Sequence, residues 1–418
     1  MLALIVAGEI VFGLPFHTAR FFRPTLLEVF GFTNTQLGDL FAVYGVAAMI
    51  AYFPGGALAD RYSARFLLTA SLFATGAGGL FMATIPAALP MAILYGYWGV
   101  TSIFLFWGAL IRATREWGGQ ASQGLAFGVL EGGRGVVAAV VSTLALAIFA
   151  AIMPENVGQA SDEVRRTGMQ SIILVYCFAA CGAGMITWFA VPVPDTVTYK
   201  RRNPLRGMGI VLGRPIIWVQ AAVIICAYCG YKGLDYYSLY AVQVLGMDEV
   251  RGAAFATYGA WVRPFAAIFA GLVADRLSAA RAIIVTFGVL VVAYLMLGTS
   301  APDASTTIIV YANIFVTFFA VFSLRGIYFA LLEENRTPAF LTGAAVGLVS
   351  LVGYTPEIFF APIAGRILDA NPGLVGFQHY FLFLAGIAAT GVVVAAWLLW
   401  LRRAGEEHLW PVKPAILK

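Results

Sequence analysis

The sequence predicts an all-α membrane protein: twelve transmembrane helices arranged as two pseudo-symmetric six-helix bundles. Three observations predict it. Hydrophobic residues make up 61% of the 418 and charged residues only 11%, whereas roughly a quarter of a soluble domain is charged. The chain contains about twelve apolar stretches of the ~20 residues that cross the hydrocarbon core at ~1.5 Å each. The tripeptide Ala-Asp-Arg also ends an apolar run twice, at Ala59-Asp60-Arg61 and Ala274-Asp275-Arg276, 215 residues apart. A half-length repeat in so apolar a chain points to a duplicated bundle.

The expected spans are 2–29, 35–59, 66–85, 91–112, 122–152 and 169–191 in the first half. In the second half they are 214–244, 251–274, 282–299, 306–332, 338–366 and 376–401. The runs are continuous rather than alternating, which argues against a β-barrel. Met1 leads into Leu2–Val6 without a basic leader, so the first run reads as a retained helix rather than a signal peptide. The halves occupy 1–191 and 214–403. Between them, 192–213 holds Pro192, Pro194, Pro204 and Lys200-Arg201-Arg202 and reads as a cytoplasmic linker; 404–418 reads as a cytoplasmic tail.

Lys and Arg set the orientation. With the amino terminus inside, the inward loops carry Arg61, Arg65, Arg112, Arg115, Lys200, Arg201, Arg202, Arg206, Arg276, Arg281 and Arg336, and the tail adds Arg402 and Arg403. The outward loops carry Arg165, Arg166, Arg251 and Arg366. This bias places both termini in the cytoplasm and the chain in the cell (inner) membrane.

The composition excludes an ordinary soluble enzyme and leaves no surface for nucleic acid. Cys177, Cys181, Cys226 and Cys229 lie in apolar runs and read as packing residues. Three dispersed histidines argue against a metal site. No cofactor is expected, and neither a nucleotide loop nor a histidine-paired nucleophile suggests an enzyme.

The halves align without gaps from His17–Ala64 to Lys232–Ala279, so Gly31 falls on Gly246, Gly56 on Gly271 and Ser63-Ala64 on Ser278-Ala279. Around the tripeptides, Gly56, Leu58, Ala59, Asp60, Arg61 and Arg65 match Gly-x-Leu-Ala-Asp-Arg-x-Gly-Arg-Arg, with Ser63 and Ala64 in place of Gly and Arg. The second copy keeps Gly271, Ala274, Asp275 and Arg276, with Arg281 one place late. On these residues the chain resembles the major facilitator superfamily of secondary transporters over its whole length. The resemblance implies alternating access, with a conformational latch made by Gly56, Asp60, Arg61, Arg65, Gly271, Asp275 and Arg276. Physically, Gly56 and Gly271 admit a close helix neighbour. The two aspartates can accept from an arginine or a helix amino terminus.

Ionisable residues inside spans mark candidate pathways. Glu9, Gly13, His17, Arg20 and Pro24 recur at three- and four-residue steps on one face of helix 1. Arg20 lies roughly 16 Å below Gly31 at ~1.5 Å per residue, Glu9 falls toward the cytoplasmic end, and Arg23 is expected to snorkel outward. Helix 7 carries Lys232 and Asp235 among Tyr228, Tyr231, Tyr236 and Tyr237. Helix 5 carries Glu131-Gly132-Gly133-Arg134-Gly135, helix 8 Arg263, helix 10 Arg325, and helix 11 Glu357 between Pro356 and Pro362. With Lys232 paired to Asp235 and Arg134 to Glu131, the cations Arg20, Arg263 and Arg325 remain against Glu357. That surplus predicts a small organic anion of carboxylate, phosphate or sulfonate type.

The expected substrate contacts are Arg20, His17, Lys232, Arg325, Arg263, Arg134 and Tyr231. The expected proton-coupling carboxylates are Glu131, Asp235 and Glu357, serving proton symport by a monomer in the bilayer. A second reading makes the charges helix links and assigns a neutral sugar or amphipathic compound to Phe16, Trp107, Tyr231 and Trp261. A third makes the chain a receptor without turnover.

Overall fold

The computed structural model describes residues 1–119, 123–193, 208–303, 305–337 and 341–403, with the side chains of 53, 123–125, 275, 342 and 343 outside the description. The linker run Lys200-Arg201-Arg202, the tail from 404 and the Asp275 side chain therefore lie outside the described residues.

Among the described residues the structure is helical, without strands. In chain order the first half holds α1 (Leu2–Ile10), α2 (Thr18–Phe21), α3 (Arg23–Phe30), α4 (Asn34–Ala59), α5 (Ala64–Met82), α6 (Ala88–Gly99), α7 (Gly108–Gly118), α8 (Gln123–Ile152) and α9 (Asp162–Ala190). After α10 (Met208–Leu212) come α11 (Pro215–Gly233), α12 (Tyr237–Gln243), α13 (Glu249–Leu277), α14 (Ala279–Thr299), α15 (Thr307–Ile327), α16 (Ala330–Glu334), α17 (Thr342–Gly353), α18 (Pro356–Ala370) and α19 (Leu374–Arg403). Nine helical spans among the described residues are long and apolar enough to cross a bilayer, and a bent pair makes a tenth. Helices α4 and α13, of 26 and 29 residues, also exceed the ~20 residues a crossing needs. The order is consistent with twelve crossings.

Helix 1 is not the single rod the sequence suggested. Pro15 has no N–H to give the preceding turn, and Gly13–His17 winds as a wide turn. The axis bends by 44° between Leu2–Ile10 and Gly13–Phe21. Helix 7 breaks at Leu234–Tyr236 and helix 11 at Tyr354-Thr355, where Pro356 opens α18. All three interruptions fall where charged side chains project inward.

One apolar core cluster is drawn from residues 211–398, and two others come almost wholly from the first half. Ile50, Ile93, Phe178, Phe189, Ile268 and Trp397 face outward, as lipid contact allows.

The halves meet most tightly at the end carrying Asn34 and Asp369, called here the Asp369 end. Asp369 accepts from the backbone N–H of Asn34 at 3.1 Å and of Thr35 at 2.6 Å. Arg366 pairs with Asp39 at 2.9 Å, and Arg165 reaches Glu249 at 3.0 Å and Glu28 at 3.4 Å. Helices α4 and α18 pack backbone to backbone: a Cβ on Gly45 would lie 2.7 Å from the Glu357 carbonyl carbon, and one on Gly365 would collide with the Asn34 carbonyl. At the opposite, Asp60 end several polar contacts stay within one half. Arg112 donates to the carbonyls of Ala59 and Tyr62, Arg65 to that of Val191 at 2.6 Å, and Arg402 pairs with Glu334 at 2.9 Å.

The expectation for Gly56 and Gly271 needs correcting. A Cβ at either would meet open space. The close approach is made instead by Gly38, Gly45 and Gly365, on the helices that close the Asp369 end. Replacing Gly45 by Leu should cost the closed arrangement about 1–3 kcal/mol by overpacking, roughly a 5- to 150-fold shift. The rate of disulfide formation between cysteines at 39 and 366 measures it. An unchanged rate would show that this contact does not hold the end shut.

Candidate functional site

Between the halves lies a cavity in which the centre of a water molecule can explore about 100 Å³, room for several waters. Its walls carry the charged layer that the helix breaks deliver. Glu9, His17, Arg20, Arg134, Lys232, Arg325 and Glu357 line it, with Phe16, Tyr44, Tyr52, Trp107, Tyr228, Tyr231 and Tyr354.

The charges are mostly spoken for. Arg20 Nε donates to Asp235 Oδ1 at 2.5 Å and Arg20 Nη1 to the Tyr231 hydroxyl at 2.8 Å. Lys232 Nζ lies 3.1 Å from Asp235 Oδ2 and 3.2 Å from Glu357 Oε2, beneath the Phe16 ring at 4.2 Å. Glu9 is the second hub. Its Oε2 accepts from Arg134 at 3.0 Å, and its Oε1 lies 3.0 Å from Arg263 Nη1 and 3.4 Å from His17 Nε2. Arg134 also pairs with Glu131, and the Tyr228 hydroxyl donates to Glu357. Gly135 leaves room for Arg263 to cross from α13, since a Cβ there would lie 3.1 Å from its side chain.

Five cations (Arg20, Arg134, Lys232, Arg263, Arg325) therefore face four carboxylates (Glu9, Glu131, Asp235, Glu357), a formal excess of one with His17 neutral. The excess falls on Arg325. Its nearest acid, Glu131 Oε2, is 3.9 Å away, and its Nε and Nη1 are buried without a hydrogen bond. Its guanidinium lies 4.0 Å over Tyr231. Glu131 serves Arg134, Arg263 at 3.5 Å and Arg325, with 44% of its side chain exposed.

These contacts correct several expectations. Arg20 and Arg263 are not free: each is clasped by a carboxylate of the opposite half. Glu9 does not sit near the surface; it is 2% exposed and pairs with two arginines. Arg23 does not snorkel; it is 0% exposed, bonded through Nε to Asn34 Oδ1 at 2.9 Å, with its guanidinium 3.9 Å over Tyr236. Asp235 is held by Arg20 and Lys232 and is 1% exposed. Trp261 points away from the cavity, with its indole N–H on Thr143 at 3.1 Å. Tyr44, Tyr52 and Tyr354 also line the cavity and were missed, since a tyrosine in an apolar run carries no charge to mark it. Among the described residues no cluster of potential metal ligands occurs, and the four cysteines are unpaired.

At the Asp60 end, Asp60 and Arg61 are exposed and form no ion pair among the described residues. Arg65 and Arg112 bind backbone carbonyls, as described above. Arg276 is also exposed.

A helical membrane protein with a polar cavity between two halves has the build of a solute carrier, and the comparisons agree. The family model for the Major Facilitator Superfamily matches residues 5–361. The chain belongs to that superfamily, and so is a multi-pass membrane transporter rather than an enzyme. It is 26% identical over 414 residues to the inner membrane protein YqcE of Escherichia coli K12, covering 93% of this chain and 91% of that protein. It is 27% identical over 406 residues to the inner membrane protein YihN of the same organism, covering 95% and 94%. The crystal structure of a D-xylose-proton symporter superposes with a TM-score of 0.74 at 15% identity, covering 95% of this chain and 96% of that one; that likeness concerns the fold alone.

Removing one member of a buried pair leaves its partner's charge stranded, at about 3–5 kcal/mol. Glu9→Gln strands parts of two arginines, so it should lower thermal stability more than the double variant Glu9→Gln with Arg263→Gln. Equal losses, followed by thermal unfolding in one detergent, would contradict the hub.

Proposed function

We propose that this transporter moves a small organic anion, of carboxylate, phosphate or sulfonate type, together with a proton. The observation that carries the reading is Arg325, the cation in excess: the residue lines a cavity rich in aromatic rings, and its Nε and Nη1 are buried without a hydrogen bond. A guanidinium in low dielectric binds such groups through paired N–H donors. Stacking on Tyr231 fixes its plane.

Glu131 supplies the coupling. It is the most exposed carboxylate of the layer and the one that Arg325 and Arg263 share. An anion arriving at Arg325 takes over its role as counter-charge. The carboxylate, robbed of its cations and faced with a like charge, is neutralised by a proton. Substrate and proton then travel together. The basic loops support an orientation in which the Asp60 end faces the cytoplasm. The closed Asp369 end would then face out, leaving the protein in an inward-facing arrangement. The exposed, unpaired Asp60 fits a latch at that end that is released here and engages when the Asp60 end closes. A monomer suffices for this cycle, since both halves lie in one chain.

The rival reading, a neutral sugar held by Phe16, Trp107 and Tyr231, gains from the pairing of Arg20 and Arg263. One experiment separates the two. Purified protein is heated with gluconate, glycerol 3-phosphate or isethionate, and in parallel with xylose or inosine. Binding at 100 times Kd adds about 2.7 kcal/mol of stability. At least one anion should raise the melting temperature and the neutral solutes should not, with the effect lost in Arg325→Gln and partly kept in Arg325→Lys. Stabilisation by a neutral solute alone would reverse the assignment. In proteoliposomes, uptake by Glu131→Gln should no longer respond to a pH gradient; a response equal to the parent's would remove Glu131 from the coupling role.

A further inference from the structure

A second cation stands outside the paired layer. Arg23 lies one turn beyond Arg20 toward the Asp369 end, and among the described residues no carboxylate pairs with it. Its Nη1 and Nη2 are buried without a hydrogen bond. A solitary buried charge is costly, and here the Tyr236 ring belongs to the opposite half and the Asn34 partner is tied to it. Tyr236, 3.9 Å from the guanidinium, follows α11. Asn34 shares Arg23's half and accepts its Nε–H, but is itself tied to Asp369 of α18 through Nδ2 at 3.2 Å.

Alternating access requires the Asp369 end to open. Opening draws Tyr236 and Asp369 away with the second half and leaves Arg23 and Asn34 on the wall of the new cleft. Loss of the Tyr236 ring would uncover the Arg23 guanidinium on that side. The nearby acids of its own half, Glu28 and Asp39, stay exposed on the rim.

We propose that Arg23 is a second anion-binding site, formed only when the Asp369 end is open, which receives the carboxylate, phosphate or sulfonate group of the cargo before Arg325 does. The same side chain serves two states: stacked and dry when the end is shut, a docking cation when it is open. The cargo's charge rests on the anion reading above; the attraction of anions to Arg23 is tested without the cargo.

A cysteine at Thr35, beside Asn34, reports on the opened cleft. In purified protein its modification rates by the anionic sulfonatoethyl and the cationic trimethylammonioethyl methanethiosulfonates are compared. A unit charge within about a turn should bias their ratio about fivefold toward the anion. Arg23→Gln should abolish the bias and Arg23→Lys restore it, while Arg325→Gln leaves it intact, so failure of the central site is not mistaken for failure of this one. A ratio unaffected by Arg23→Gln, or a Thr35→Cys that reacts with neither reagent, overturns the proposal. Should Arg23→Gln fail to fold, protection in the Arg23-containing protein decides: slowing of the anionic reagent by gluconate but not by xylose supports the site, and equal behaviour overturns it.

Discussion

Arg20 and Asp235 touch at 2.5 Å across the cleft, 215 residues apart, the spacing at which the two halves of the sequence repeat. The ion pair therefore joins equivalent positions of the two halves, and it sets the pattern for the layer around it. A charge in the middle of a bilayer must find an opposite charge or a polar cavity. Here Arg20 finds Asp235, and Arg263 finds Glu9 and Glu131, each on the other half. The same contacts that make the charges tolerable also hold the halves together, so any motion that separates the halves must supply new partners for them.

A cavity with one cation in excess suits that requirement. In the proposed cycle a monovalent anion would neutralise the surplus on Arg325, and a proton on Glu131 would restore it. A layer loaded with both thus carries the same net charge as the empty one. Loaded and empty crossings then meet the same electrostatic cost, and a partly loaded one does not. That asymmetry offers a physical basis for coupling without any element beyond the side chains already in contact. The aromatic lining of tyrosines and Trp107 supplies faces for an organic body and hydroxyls for its polar groups.

Much of the fold was legible in the sequence because membrane physics leaves few choices. Long apolar runs, the Ala-Asp-Arg repeat and the resemblance built on Gly56–Arg65 pointed to the superfamily that the family match shows. The charged residues of the site were legible too, since an arginine or glutamate inside an apolar run is conspicuous. Their pairing was not. Periodicity tells which residues share a helix face, not which helices meet. Counting rise along an unbroken helix 1 put Glu9 near the surface and Arg23 near water, whereas other helices cover both: Arg134 and Arg263 meet Glu9, and Asn34 and Tyr236 meet Arg23. Glycine roles were misplaced for a related reason. Gly56 and Gly271 stand in the signature but face open space in this arrangement, while Gly45 and Gly365 stand in unremarkable sequence and bring two helices into backbone contact.

The central claim is that an arriving anion displaces Glu131 from its arginines and that a proton takes up the vacancy. Proton exchange on binding tests it most directly. When the tightest-binding of gluconate, glycerol 3-phosphate and isethionate is added to purified protein in weakly buffered solution, the account predicts uptake of protons from the medium, and none in Glu131→Gln. Binding of the anion with no proton uptake, or with uptake undiminished in Glu131→Gln, would contradict it.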